Sequence, residues 1–96
     1  MPLISLDDAI TQAQEKPAAY VLLGSDGSYL YKGACRNLHE RLKDHHAGRA
    51  SRTKNRRPLG VVLIEYFDDY SGALRREAWL KSGVGREFIH GSMPGR

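Results

Sequence analysis

Four side chains in the first half of the chain, Tyr20, Tyr31, Arg41 and His45, are of the types needed to act on a phosphodiester. An arginine offers a phosphate two parallel N–H donors. A histidine orients a hydroxyl or moves a proton near neutral pH. Tyrosines supply hydroxyls, but with an ordinary pKa of ~10 they need a nearby cation to favour the phenolate. Arg41 and His45 stand four residues apart, so a helix would bring them to one face. The competing reading at this level is that both are solvated helix residues.

The elements that must hold these groups follow from pattern. The apolar runs 18–23 and 29–32 are rich in β-formers and flank the turn residues 24–28. They predict a hairpin with Tyr20 and Tyr31 on adjacent strands. Alternation along a strand puts Tyr20 and Leu22 on one face. Gly33 is expected to release the chain. Asn37 caps a predicted helix over 38–46 that Gly48 closes. In that helix Leu38, Leu42 and His46 form one row, and Asn37, Arg41 and His45 the next. The leucines would anchor it to the sheet and leave Arg41 and His45 beside the hairpin. Upstream, Ser5 caps a predicted helix reaching about residue 16, where Pro17 ends it; Asp7 and Asp8 favour its dipole.

Downstream, residues 49–57 carry Arg49, Arg52, Lys54, Arg56 and Arg57 with no apolar periodicity. This is either a phosphate-tracking loop with salt-dependent binding or a solvated mobile one. Residues 59–67, with Val61, Val62, Leu63 and Ile64 in succession, predict a central strand buried on both faces. Asp68 and Asp69 break it, Ser71 caps a helix to about residue 81, Gly83 and Gly85 mark a turn, 86–90 forms a last helical turn, and 91–96 is a flexible tail. Ala73, Leu74, Glu77, Ala78 and Lys81 fall on one stripe of the late helix. Glu77 is then a core-facing carboxylate that needs a partner. A divalent cation that keeps much of its hydration is one candidate; Arg41, Arg75 or Arg76 is another. Tyr66, Phe67, Trp79 and Phe88 are expected to pack in the core and at its rim.

A chain of 96 residues suits one domain with a modest core. Its net charge of +4 favours polyanionic partners. The lone Cys35 forbids an internal disulfide, and the N-terminus carries acids where a signal peptide needs bases; both suit a reducing, cytoplasmic setting. Cys35, His39 and His45 lack the tight paired spacing of a zinc site. No apolar run is long enough to span a bilayer.

Ala18-Ala19-Tyr20, then Tyr31-Lys32-Gly33, Arg41, His45 and finally Glu77 resemble the ordered motifs of the GIY-YIG nuclease family, in the form of its small stand-alone bacterial members. The likeness runs from about residue 18 to 89, with 1–17 as an N-terminal helix packed on the domain. It implies an α+β fold, a three-stranded antiparallel sheet flanked by helices. It implies metal-dependent hydrolysis of nucleic acid, with DNA expected ahead of RNA, in a structure-specific or repair-related role. Tyr20 matches the tyrosine that takes or relays a proton from the attacking water, and Tyr31 the one that lines the site. Arg41 matches the arginine on the scissile phosphate, His45 the histidine that tunes a tyrosine, and Glu77 the sole protein ligand of a single Mg2+ or Mn2+. Lys32, Arg49, Arg52, Lys54, Arg56 and Arg57 are the expected nucleic-acid contacts. Ala18 and Ala19 replace the glycine and isoleucine of the first motif, Lys32 replaces an apolar residue of the second, and no asparagine follows Glu77. The alternatives are a non-catalytic nucleic-acid-binding module with a relic site, or a scaffold. Target specificity would come from the basic loop, from oligomerisation or from a further protein partner.

Overall fold

The hairpin that carries Tyr20 and Tyr31 forms the heart of the molecule. The computed structural model describes residues 3–93. Strands β1 (Ile4–Ser5), β2 (Ala18–Leu23), β3 (Leu30–Cys35) and β4 (Gly60–Tyr66) form one antiparallel sheet in the order β1-β4-β2-β3. Helices α1 (Leu6–Gln12) and α2 (Leu38–Ala47) cover one face, and α3 (Tyr70–Leu80) and α4 (Gly83–Ser92) the other. This is the expected α+β class with one strand more than predicted. Ile4–Ser5 is too short to announce itself by alternation, yet it pairs with Gly60 and Val61.

β2 owes its place to burial. All six of its residues are buried. Ala18, Tyr20 and Leu22 face Leu6, Leu38 and Leu42 on the α1/α2 side, while Ala19 and Val21 face Leu80 and Ile89. Each fully buried leucine of this kind contributes roughly 2 kcal/mol. The strand buried on both faces is therefore β2 and not β4, in which only Val61 is fully buried. β1 covers just one end of β4 and leaves the rest at the rim. The unbroken apolar run in β4 has a different cause. A bulge opposite Val21 and Leu22 lets Val62 and Leu63 both face the α3/α4 layer, while Val61 and Ile64 face the other.

Several boundaries differ from expectation for identifiable reasons. β3 continues through Gly33, Ala34 and Cys35, which pair with Tyr20, Ala19 and Ala18. Gly33 is not an exit: a Cβ there would lie 2.6 Å from the Tyr20 ring tip. α1 stops at Gln12, because the next backbone groups have other partners: Gln14 N–H donates to the Tyr66 hydroxyl, and the Gln14 and Lys16 carbonyls accept from His39 and Leu38. Asp69, rather than Ser71, caps α3, its carboxylate accepting from Gly72 N–H at 2.8 Å. The expected turn at Gly83 and Gly85 is the first turn of α4, capped by Ser82. Gly85 is needed because a side chain there would collide with the backbone of Trp79 and Leu80. Gly91 and Ser92 end α4, and the remainder of the expected tail, from Pro94, lies outside the described residues. The Ser5, Asn37 and Gly48 caps form as expected, Gly48 at a φ of 81°.

Candidate active site

The α2 residues reach the hairpin as their spacing requires. Leu38 and Leu42 are fully buried against the sheet, and one row round the helix His45 is fully buried too. Tyr20 Oη lies 2.8 Å from His45 Nε2, and His45 Nδ1 lies 2.7 Å from Thr53 Oγ1. Tyr31 packs tilted against Tyr20 and edge-on to His45, its centroid 6.2 Å from that of Tyr20 and 5.2 Å from that of His45. Arg41, half-buried, faces the hydroxyls of both tyrosines. Four of the residues singled out in the sequence thus converge at one point.

The polarity of this chain follows from Arg41, which can only donate towards the Tyr20 oxygen. The buried Tyr20 O–H therefore donates to His45 Nε2, and Nδ1–H is left to donate to the fully buried Thr53 hydroxyl. Thr53 supports the tautomer on which the Tyr20 contact depends. Nothing in the sequence singled it out, since it is a β-branched residue in a basic loop whose anchoring is purely tertiary. Thr53→Val, equal in shape but without the acceptor, should leave a buried imidazole N–H unpaired. It should cost about 1–3 kcal/mol in urea denaturation, with Thr53→Ser closer to wild type.

Burial sets the electrostatics. It brings the His45 imidazole down from 6.5 to about 4, with the Arg41 charge acting in the same direction and Asp44 opposing. His45 is therefore a neutral acceptor at pH 7. Burial also pushes the Tyr20 phenol above its ordinary value, with help from Tyr31; Arg41 counters this by favouring the phenolate. The unfolded chain takes up a proton at His45 near 6.5, whereas the folded protein resists until about 4. The unfolded state gains protons first, so His45 makes stability fall as pH drops from 6.5 to 4, by at most about 3 kcal/mol. Denaturation series at pH 7.5 and 5 should differ less in His45→Gln. An NMR titration placing the His45 protonation at 6 or above would contradict this account.

Glu77 lies on the opposite face of the sheet, on α3, and is not core-facing. Ala73 and Leu80 are the buried residues of α3, while Leu74, Ala78 and Lys81 are exposed. Glu77 is half-buried at the rim, with its Oε2 3.5 Å from Lys81 Nζ. The predicted arginine partners are elsewhere: Arg76 forms a two-bond pair with Glu65 at 2.7 and 3.1 Å. Tyr70, Leu74, Glu77 and Lys81 form one row of α3 by the three-and-four rule. Both ends of that row open onto the free edge of β3. Tyr70 lines a cavity with Ala34, Arg36 and Arg41, and Lys81 lines another with Tyr31 and Lys32. Glu77 stands between them. Arg36 stacks over the Tyr70 ring at 4.2 Å, a contact the sequence did not suggest.

The basic loop is more engaged than its composition implied. Ala50 and Thr53 are buried and anchor it. Arg49 pairs with Asp44 at 2.9 Å, Arg56 pairs with Asp26 and stacks over Tyr29, and Arg57 donates to the Lys54 and His46 carbonyls. Arg52 and Lys54 have no ion-pair partner among the described residues.

No cluster of three or more His, Cys, Asp or Glu side chains suited to a metal occurs among the described residues. A single carboxylate with one exposed lysine partner nevertheless fits a hydrated divalent ion whose remaining positions are filled by water and phosphate oxygens.

A family model, the GIY-YIG catalytic domain, matches residues 16–87, and the chain belongs to that family of nucleases. The family generally uses divalent metal ions. A protein of Syntrophus aciditrophicus named "UPF0213 protein" is 43% identical over 68 residues, covering 69% of this chain and 77% of its own. One of the same name from Lactiplantibacillus plantarum is 43% identical over 72 residues, covering 72% and 70%. Another, from Staphylococcus saprophyticus, is 38% identical over 69 residues, covering 71% and 83%. No solved structure matches the chain. Among the described residues no helix is long and apolar enough to cross a membrane.

Proposed function

We propose that the protein is a metal-dependent endonuclease that hydrolyses phosphodiester bonds in DNA, in a structure-specific or repair-related role. The observation that carries this reading is the buried Tyr20–His45–Thr53 chain beneath the Arg41 guanidinium. Arg41 holds the scissile phosphate with its N–H fork. A water attacks phosphorus and gives a proton to Tyr20 as Tyr20 gives its own to the neutral His45 Nε2. Thr53 keeps Nδ1–H in place throughout. Tyr31, partly exposed beside both rings, positions the water or phosphate. Glu77 would hold a single Mg2+ or Mn2+, which when bound supplies charge for the leaving oxygen. Arg52 and Lys54 are the loop cations best placed to follow the strand. The lone thiol of Cys35 and a nucleic-acid substrate both suit the cytoplasm.

The full burial of Tyr20 favours a second reading, a nucleic-acid-binding module with a relic site, because a phenol with no exposed surface does not meet solvent water. One assay separates the two. Purified protein is incubated with branched, duplex and single-stranded DNA and with RNA, in Mg2+, Mn2+ or EDTA, beside Glu77→Gln. Cleavage that EDTA and Glu77→Gln abolish supports the enzyme. Salt-dependent binding without cleavage, indifferent to Glu77→Gln, supports the module.

A further inference from the structure

Beside Tyr31 the free edge of β3 borders a cavity of about 240 Å³, distinct from the one Arg41 lines, with Tyr29, Tyr31, Lys32, Arg52, Lys81 and Arg86 around it and Leu30 at its wall. Four cations from four parts of the chain meet there: β3, the basic loop, the end of α3 and the first turns of α4. Only Lys81 has an acidic partner among the described residues, Glu77 at 3.5 Å. The family likeness accounts for neither Lys81 nor Arg86, and it treats Lys32 as a departure.

Like charges brought together cost free energy unless an anion joins them. The crowding registers on Lys32, whose ammonium is held below its ordinary value by burial, then by Arg86 and Lys81. Lys32, Arg52 and Arg86, from three sequence-distant elements, meet there with no acidic partner among the described residues. Three unpartnered cations facing one space match a phosphate group, which accepts several charge-assisted hydrogen bonds at once. Tyr31 is shared: its ring lines this cavity and its hydroxyl faces Arg41. A strand with its scissile phosphate at Arg41 therefore passes directly to this cavity along β3.

We propose that Lys32, Arg52 and Arg86, with Lys81 at the rim, form a second phosphate subsite that holds the phosphate flanking the scissile one on the bound strand. The subsite rests on the nuclease reading for the scissile position, but its own function is binding. Lys81 links the two places. As it turns towards a phosphate here it leaves Glu77, which frees that carboxylate.

The test is metal-free binding of short deoxythymidine oligonucleotides, followed by fluorescence anisotropy over a salt series and by NMR of arginine side-chain N–H signals. Oligonucleotides carry a 5′-phosphate, a 3′-phosphate or neither, or one neutral methylphosphonate linkage. Wild type should show saturable shifts at Arg86 and Arg52. Lys32→Ala/Arg86→Ala, both changes outside the core, should weaken binding about tenfold or more and lower the salt slope by about 1.4. It should also lose the penalty that wild type shows for one neutral linkage. Tighter binding of one phosphorylated end identifies a terminal monoester as the occupant; a penalty for an internal neutral linkage alone identifies a diester. Unchanged affinity and slope in the double variant, or shifts confined to other arginines, would overturn the subsite. Cleavage lost in every condition while Arg86-dependent binding persists would sink the nuclease reading and leave the subsite standing.

Discussion

Arg41→Ala is expected to slow cleavage by a hundredfold or more while the protein stays folded. The two halves of that expectation have separate grounds. Arg41 faces both tyrosine hydroxyls, and its hydrogen bond, then its charge, holds the raised Tyr20 phenol in check. Removing one preorganised electrostatic contact to a reacting group typically costs ~3–4 kcal/mol in the barrier, a factor of roughly 10²–10³. The fold does not depend on it to the same degree. Its one ion pair among the described residues, to Asp44 at 3.7 Å, is partly exposed and is worth about 0–1 kcal/mol. Arg41→Lys keeps the charge but loses the planar fork, so it should recover only part of the rate. Single-turnover cleavage beside thermal denaturation checks both halves. Wild-type rates in Arg41→Ala would remove Arg41 from the chemistry.

Gly33→Ala should damage stability and activity together. Gly33 pairs with Tyr20 across the hairpin, and the Tyr20 ring lies directly over it. An added Cβ would sit 2.6 Å from Tyr20 Cζ and Oη and 2.9 Å from Tyr31 Cε2. A free tyrosine could swing away, but this one is fully buried and tied to His45 at 2.8 Å. Overpacking of this kind costs about 1–3 kcal/mol. In a domain of this size that is a fall in Tm of roughly 5–20 °C. The surviving folded protein should also cleave poorly, because Tyr20 and Tyr31 are displaced from Arg41. A Gly33→Ala protein that melts and cuts like wild type would show that the ring does not rest on the strand. The glycine of the second motif is thus required by the tyrosine of the first, a steric reason that the spacing alone does not state.

Much of the site was legible because it depends on short-range periodicity. Arg41 and His45 share a helix face by the four-residue rule, and Leu38 and Leu42 identify the face that meets the sheet. The Asn37 and Gly48 caps bound that helix at both ends. Tyr20 and Tyr31 fell on paired strands because β-formers flanked a turn. Glu77 was misjudged for the complementary reason. A stripe drawn through Ala73 and Leu74 assumes that the longest apolar residue points inward, and in α3 the buried row instead runs through Ala73 and Leu80. Only one helical turn of α4, over 86–90, was foreseen because Gly83 and Gly85 read as breakers, whereas Gly85 is there to let two helix backbones approach.

By itself the sequence determined most of the local elements, where several of their caps lie and which candidate side chains share a helix face or sit on paired strands. Those properties depend on neighbours a few residues apart, through hydrogen bonds and rotations that repeat along the chain. Only the tertiary structure decided that Thr53 buttresses His45, that Glu77 stands at the rim of the opposite layer, and that Lys32, Arg52, Lys81 and Arg86 surround one cavity. These are meetings of residues distant in the chain, set by how the helices pack across β2 and around the open edge of β3, and no local periodicity encodes them.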